Sequence, residues 1–377
     1  MIPRDLLQSW RHALPFYVSF LLIPLVWIGA AAGGLWLLIV PLVTWWVFTA
    51  ADGLLGITAE NADPQTPDAA LTLYRRLTML WVPAQFISLY ALIWYVTRAD
   101  HLSAFGAFAA FFGMGILTGT IGINYAHELM HQKSRKERFL ADVLMAMALY
   151  SHFRSEHLLV HHRHVGTPRD AVTARYNEGF HRFFRRVLHQ CFRSALSAEA
   201  AKQARAGRKA TDLSNPFYRY AALQALMLAL ALIAGGWYGL ALFLFQALTA
   251  IWQLELVNYV EHYGLTRKHL GEGRYEHVRP RHSWNASHRA SNWLLINLQR
   301  HSDHHYKPDR RFPLLQHHDA SAAPQLPYGY PLMGCIAMIP PVWRRMMNPR
   351  VRAWRKMYYP EITDWTPYTK HTLPLPR

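Results

Sequence analysis

Charged residues are missing from four long stretches of this chain, and that pattern predicts its elements. Residues 13–51 form a run of 39 without Asp, Glu, Lys or Arg. A helix needs only ~20 residues to cross the hydrocarbon core of a bilayer. Gly33-Gly34 sits near the middle of the run, so it predicts two spans joined by a tight turn. Residues 77–97 and 103–126 predict a third and a fourth. The 35 uncharged residues 220–254, interrupted by Gly235-Gly236, predict a fifth and a sixth. The run 331–341 is too short to cross and is expected to be buried or interfacial. The expected architecture is an all-α integral membrane protein with six transmembrane helices. Residues 1–262 form its membrane region, carrying histidine-containing loops at 127–219. Residues 263–377 form a C-terminal segment that completes the histidine-rich cap.

Charge supplies the orientation. Residues 133–219 hold 17 Lys and Arg against 7 Asp and Glu, whereas Gly33-Gly34 and Gly235-Gly236 are flanked by none. The positive-inside rule therefore puts residues 127–219, the segment from His262 onward and the N-terminus in the cytosol.

The chain is 52% hydrophobic and carries a formal charge of +17. Those values conflict in a soluble protein but are reconciled when apolar blocks lie in a bilayer and basic blocks outside it. The same blocks argue against nucleic acid as the reason for the charge. Two cysteines, Cys191 and Cys335, form no CxxC motif, so no zinc ribbon, iron–sulfur cluster or disulfide framework is expected. The N-terminus lacks the pattern of a cleaved signal peptide.

The compositional anomaly is the count of 22 histidines. Four groups lie at the ends of predicted spans or in the cytosolic segments: His127-Glu-Leu-Met-His131; His157-Leu-Leu-Val-His161-His162; His262; and His301-Ser-Asp-His304-His305. Residues three or four apart share a helix face, so two imidazoles at that spacing converge on one metal. An adjacent pair points in directions about 100° apart, so one helix serves two neighbouring metals. Nine histidines exceed the needs of one ion. Imidazole suits iron, zinc, copper and nickel alike. Glu128, Glu156, Glu261 and Asp303 neighbour these histidines and are candidates to orient a ring through its second nitrogen; His288 is a further candidate. The HExxH string at 127–131 also matches a zinc-protease pattern, but that reading leaves seven histidines unused. His152, His164, His181, His189, His277 and the pair His317-His318 read as surface residues.

Together, HxxxH, HxxxHH and HxxHH resemble the membrane desaturase–hydroxylase superfamily. Longer strings narrow the resemblance. Asn258-Tyr-Val-Glu-His-Tyr-Gly-Leu265 and Leu298-Gln-Arg-His-Ser-Asp-His-His305 are similar to those of AlkB-type alkane monooxygenases and their xylene-monooxygenase relatives. Ser283-Trp-Asn, Arg310-Arg-Phe, Pro324-Gln-Leu-Pro-Tyr-Gly-Tyr330 and Pro340-Pro-Val-Trp-Arg344 extend the likeness over about residues 40–352. The resemblance implies a cytosol-facing non-haem di-iron centre, two iron ions held by His127, His131, His157, His161, His162, His262, His301, His304 and His305. It implies reductive activation of dioxygen and hydroxylation of the terminal methyl of an apolar substrate. The chain carries no flavin, haem or iron–sulfur signal, so the implied electron source is rubredoxin with its rubredoxin reductase. The implied location is the bacterial inner membrane, with lipid around the spans.

Two positions depart from the family: Val160 stands where Gly usually precedes the paired histidines, and Tyr306 where Ala is common. The segment Gly166-Thr-Pro-Arg-Asp-Ala171 is also altered. Trp45 and Trp46, near the inner end of the second span, are candidates for the floor of a substrate channel. Alternatives are methyl hydroxylation of an alkyl-aromatic, a fatty-acid desaturase or hydroxylase, and, in a different class, a membrane metal transporter. The last would need ionisable ligands along a mid-bilayer path, whereas these spans are nearly charge-free.

Overall fold

Every uncharged stretch is helical. The computed structural model describes residues 1–369, so the tail of the C-terminal segment, 370–377, lies outside the described residues. In chain order the helices are α1 (Trp10–Ala32), α2 (Gly34–Leu55), α3 (Asp68–Val96), α4 (Ala104–Met130), α5 (Arg135–Met147), α6 (residues 153–164), α7 (Phe180–Arg205), α8 (Pro216–His262), α9 (Arg289–Leu294), α10 (His301–Tyr306), α11 (Tyr330–Ala337) and α12 (Pro340–Tyr358). Among the described residues there are isolated bridges but no strand. Five helices, α1–α4 and α8, are long and apolar enough to cross a membrane.

Helix α8 has 47 residues, about 70 Å if straight and far longer than a bilayer is thick. It is broken at Gly235 and at Gly236, whose φ of 62° lies in the left-handed region that glycine adopts without steric cost.

Three turns gather at the end of the bundle remote from the histidines. His101 Nε2 lies 3.0 Å from Ala30 O, and Arg98 Nη1 donates to Ala234 O at 2.9 Å. Trp36, Trp94 and Trp237 are exposed here, as amphipathic rings at a membrane boundary are.

Helices α4 and α8 form the central seam. A Cβ added to Gly115 would stand 2.5 Å from Thr249 Cβ, and one added to Gly119 would stand 2.6 Å from Gln253 Cβ. Two glycines four apart thus let the backbones meet, as small residues do between membrane helices. At the histidine end, ion pairs centred on the buried Arg311 and Glu137 fasten the loop after α10 to the bundle. Arg311 bonds Asp68 and Glu137 at 3.0 Å each, and Glu137 also accepts from Arg75. Run 331–341 does not cross: Tyr330, Met333 and Ala337 are buried, while Ile339 is exposed.

Candidate metal centre

The nine histidines come from four elements and meet as two groups. His127, His131, His157, His162 and His304 form one; His161, His262, His301 and His305 form the other. Within the first, Nε2–Nε2 distances are 3.0 Å for His131–His157, 2.9 Å for His157–His162 and 3.1 Å for His162–His304. Within the second they are 3.2 Å for His161–His305, 3.0 Å for His301–His305 and 3.1 Å for His262–His301. The groups abut, with the rings of His162 and His305 4.7 Å apart between centroids.

The partition differs from simple helical spacing. His127 and His131, four apart at the end of α4, share a group, and so do His301 and His305 on α10. His157 and His161, also four apart, do not. Residues 157–161 form a π turn, whose hydrogen bonds run from i to i+5, and this brings His157 and His162 to one face instead. The adjacent pairs His161-His162 and His304-His305 are each divided between the groups, as their angular separation predicts.

The donor set suits metal ions. Burial pushes the pKa values of His131, His157, His162, His301, His304 and His305 well below the ordinary imidazole range, so these rings are neutral with a free lone pair. Neutral imidazoles with a single ring proton cannot satisfy one another around such rings of contacts. Metal–imidazole bonds of about 2.0–2.1 Å place neighbouring ligand nitrogens about 3 Å apart, the spacing found.

The neighbouring carboxylates take different parts. Glu261 faces the histidine side: its Oε2 lies 3.2 Å from His301 Nε2. Glu156 is fully buried and neither of its oxygens has a partner among the described residues. Glu128 accepts from Gln132 Nε2 at 3.0 Å. Asp303 binds Arg310, the Gln316 N–H and His318. His288 lies outside both groups, at the start of α9 beside Asp52.

Sequence reasoning overlooked Asp170. Its Oδ2 is 2.9 Å from His161 Nδ1 and accepts from Thr173 Oγ1 at 2.7 Å. Burial works against its ionisation, but the His161 ring and these hydrogen bonds outweigh it and hold the carboxyl below its ordinary range. The altered segment Gly166–Ala171 contained the signal, an acid in a turn just beyond the second histidine group. Two histidines read as surface are not: His164 is buried, and His152 packs against Tyr150 and Phe192.

An apolar cavity of about 880 Å³, including its open mouth, leads to this centre between α2, α4, α8 and α11. His127, His157, His301 and Glu261 form its inner end, so it reaches histidines of both groups. Trp45 lies in its wall, edge-on to Phe112 and Trp252. Trp46 points outward and is exposed. Neither family departure borders the cavity: Val160 is buried in the π turn and Tyr306 is half exposed.

Residues 101–337 match the fatty acid desaturase family. The chain is 35% identical to alkane 1-monooxygenase 2 of Pseudomonas aeruginosa, over 90% of this chain and 94% of that protein. It is 38% identical to alkane 1-monooxygenase of Pseudomonas putida, over 74% of this chain and 69% of that one. The hydroxylase component of a Pseudomonas putida xylene/toluene monooxygenase is more distant, 28% identical over 63% of each chain. Histidines converging beside an apolar cavity, in a helical membrane scaffold with these relatives, place the chain in the alkane 1-monooxygenase family of oxidoreductases.

Proposed function

We propose that this protein hydroxylates the terminal methyl of an alkane to a primary alcohol, using dioxygen and electrons from rubredoxin, itself reduced by rubredoxin reductase. The observation that carries this reading is the cavity whose apolar walls end on imidazoles of both histidine groups. All nine histidines are the proposed ligands of two irons. A bound di-iron pair would supply dioxygen reduction and the oxidation of an unactivated C–H bond.

The chain's own residues prepare that chemistry. Leu254, Val257, Leu295 and Leu298 line the cavity, hold an alkyl chain by apolar contact and exclude water. Asp170 fixes the ring of His161, and Glu261 faces His301. Trp45 narrows the bore.

The proposed topology counts the two halves of α8 as separate spans, six in all, with both termini and the histidine cap on the cytosolic side of a bacterial inner membrane. The break at Gly235-Gly236 supports the count and the basic loops support the orientation. Residues 1–262, with the histidine loops at 127–219, and residues 263–377 are the proposed membrane region and completing segment.

Membranes fed a mixture of n-alkanes and alkylbenzenes, with products identified by mass spectrometry, test the reading. Primary alcohols from n-alkanes are expected. Benzylic alcohols alone would transfer the assignment to alkyl-aromatic methyl groups. Absence of oxygen-dependent product from either would remove the monooxygenase reading.

A further inference from the structure

The cavity is apolar almost throughout, yet an amide and a hydroxyl in its wall have no hydrogen-bond partner among the described residues. Gln253 of α8 and Thr44 of α2 both line it and are only 6% and 2% exposed. Gln253 Nε2 and Thr44 Oγ1 are buried without a partner. The other amides of the wall are committed: Asn124 donates to Leu295 O at 2.7 Å and Asn258 to Glu255 at 3.0 Å. Leaving an amide and a hydroxyl buried and unbonded is costly, and a ligand carrying a hydrogen-bond acceptor removes that cost.

Their place along the cavity is given by two helices. Gln253 packs level with Gly119, and Trp45 and Trp252, the rings next in sequence to Thr44 and Gln253, lie 6.3 Å apart between centroids. His127 lies eight residues beyond Gly119 and His262 nine beyond Gln253, so the polar level stands ~12–14 Å along the helices from the histidine level. An extended chain advances about 1.2 Å per bond, which separates the two levels by about ten bonds. Among the described residues no Lys or Arg borders the cavity and Glu261 does, so an anionic carboxylate is disfavoured and a neutral oxygen function is favoured.

Resting on the reading above that substrate occupies this cavity, we propose that Gln253 and Thr44 form a polar subsite that selects chains bearing a neutral acceptor oxygen, such as an ester carbonyl, about ten bonds from the methyl end. Plain alkanes enter the same cavity but leave these donors unbonded.

Displacement of radiolabelled dodecane from iron-loaded protein in lipid nanodiscs tests this without turnover. The readout is the ratio of displacing concentrations for undecane and methyl decanoate in wild type and variants, which cancels the partitioning of each ligand into lipid. Gln253→Leu should lower the ester's relative affinity about five-fold, the size of one hydrogen bond. Thr44→Val, nearly isosteric, should lower it by a smaller factor. Unchanged iron content marks each variant as folded. An unchanged ratio in both variants overturns the subsite. Failure of dodecane to yield alcohol in a separate turnover assay would instead count against the alkane reading, leaving the displacement ratio to decide the subsite.

Discussion

His161 Nδ1 lies 2.9 Å from Asp170 Oδ2, the one carboxylate contact that the back nitrogen of any of the nine histidines makes among the described residues. The pair sets which nitrogen of His161 faces the metal. Such partners typically contribute 10–100-fold in metal affinity. Asp170→Asn should therefore lose iron to a chelator at 10- to 100-fold lower concentration while still inserting into membranes. Iron retention equal to wild type would show that the contact does not tune the site.

The partition into five and four ligands makes ligand variants distinguishable. His304→Ala removes a ligand from the first group and His262→Ala from the second. Each should abolish alkane turnover and lower iron by about one ion per chain, measured by elemental mass spectrometry on purified protein. Two irons retained with full activity in either variant would exclude that histidine from the set.

The α4–α8 seam leaves no room for a methyl group at Gly119, where an added Cβ would meet Gln253 Cβ at 2.6 Å and Ala250 O at 2.9 Å. Overpacking of this kind costs about 1–3 kcal/mol. Gly119→Ala should lower the midpoint of thermal unfolding in detergent. Gly53→Ala, with open space around it and a residue of better helix propensity, should not.

Trp45 and Trp46 are adjacent but separable, one in the cavity wall and the other exposed. Trp45→Ser should extend turnover to longer alkanes, read as the alcohol profile from a chain-length mixture. Trp46→Ser should leave that profile unchanged. Equal profiles for Trp45→Ser and wild type would remove Trp45 from the substrate path.

Docking of an acidic electron donor on the basic face near the histidines, the proposed cytosolic side, would be steered by charge. Arg182 and Arg185 on α7 are exposed. Arg186 is not free: it bonds Glu178 at 2.8 Å, and although burial opposes it, this contact holds the Glu178 carboxyl below its ordinary range. Turnover at limiting rubredoxin should fall as salt rises and the screening length shortens from ~10 Å at 0.1 M to ~3 Å at 1 M. Reversing Arg182 and Arg185 to Glu should flatten that dependence. Reversing Arg186 should instead lower stability. Salt-indifferent turnover would leave this charge to the anionic lipid surface.

Much of this architecture was legible because its signals are local. Uncharged runs mark the spans, paired glycines mark the breaks at Gly33-Gly34 and Gly235-Gly236, and histidines follow the ends of α4 and α8. The allocation of ligands was less legible. Spacing pairs His157 with His161, whereas the π turn pairs His157 with His162, and one extra residue in a turn leaves no compositional mark. Asp170 escaped for a related reason: a side chain on an irregular loop has no periodicity to announce its direction. The outward placement of Trp46 and the inward placement of Trp45 depended on helix rotation, which a uniformly apolar span does not encode.

Three π turns occur among the described residues, at Leu42–Val47, Thr118–Ile123 and His157–His161, and each contributes to the cavity wall or to the histidine groups. Each holds one residue more than a regular helical turn. Chain length in these stretches is therefore a functional quantity. Deleting Leu159 would leave His157 and His162 four apart, and regular winding would keep them on the one face that the π turn now gives them. A single added residue there should be more damaging than a single deletion, because it would turn His161 and His162 about 100° away from their groups.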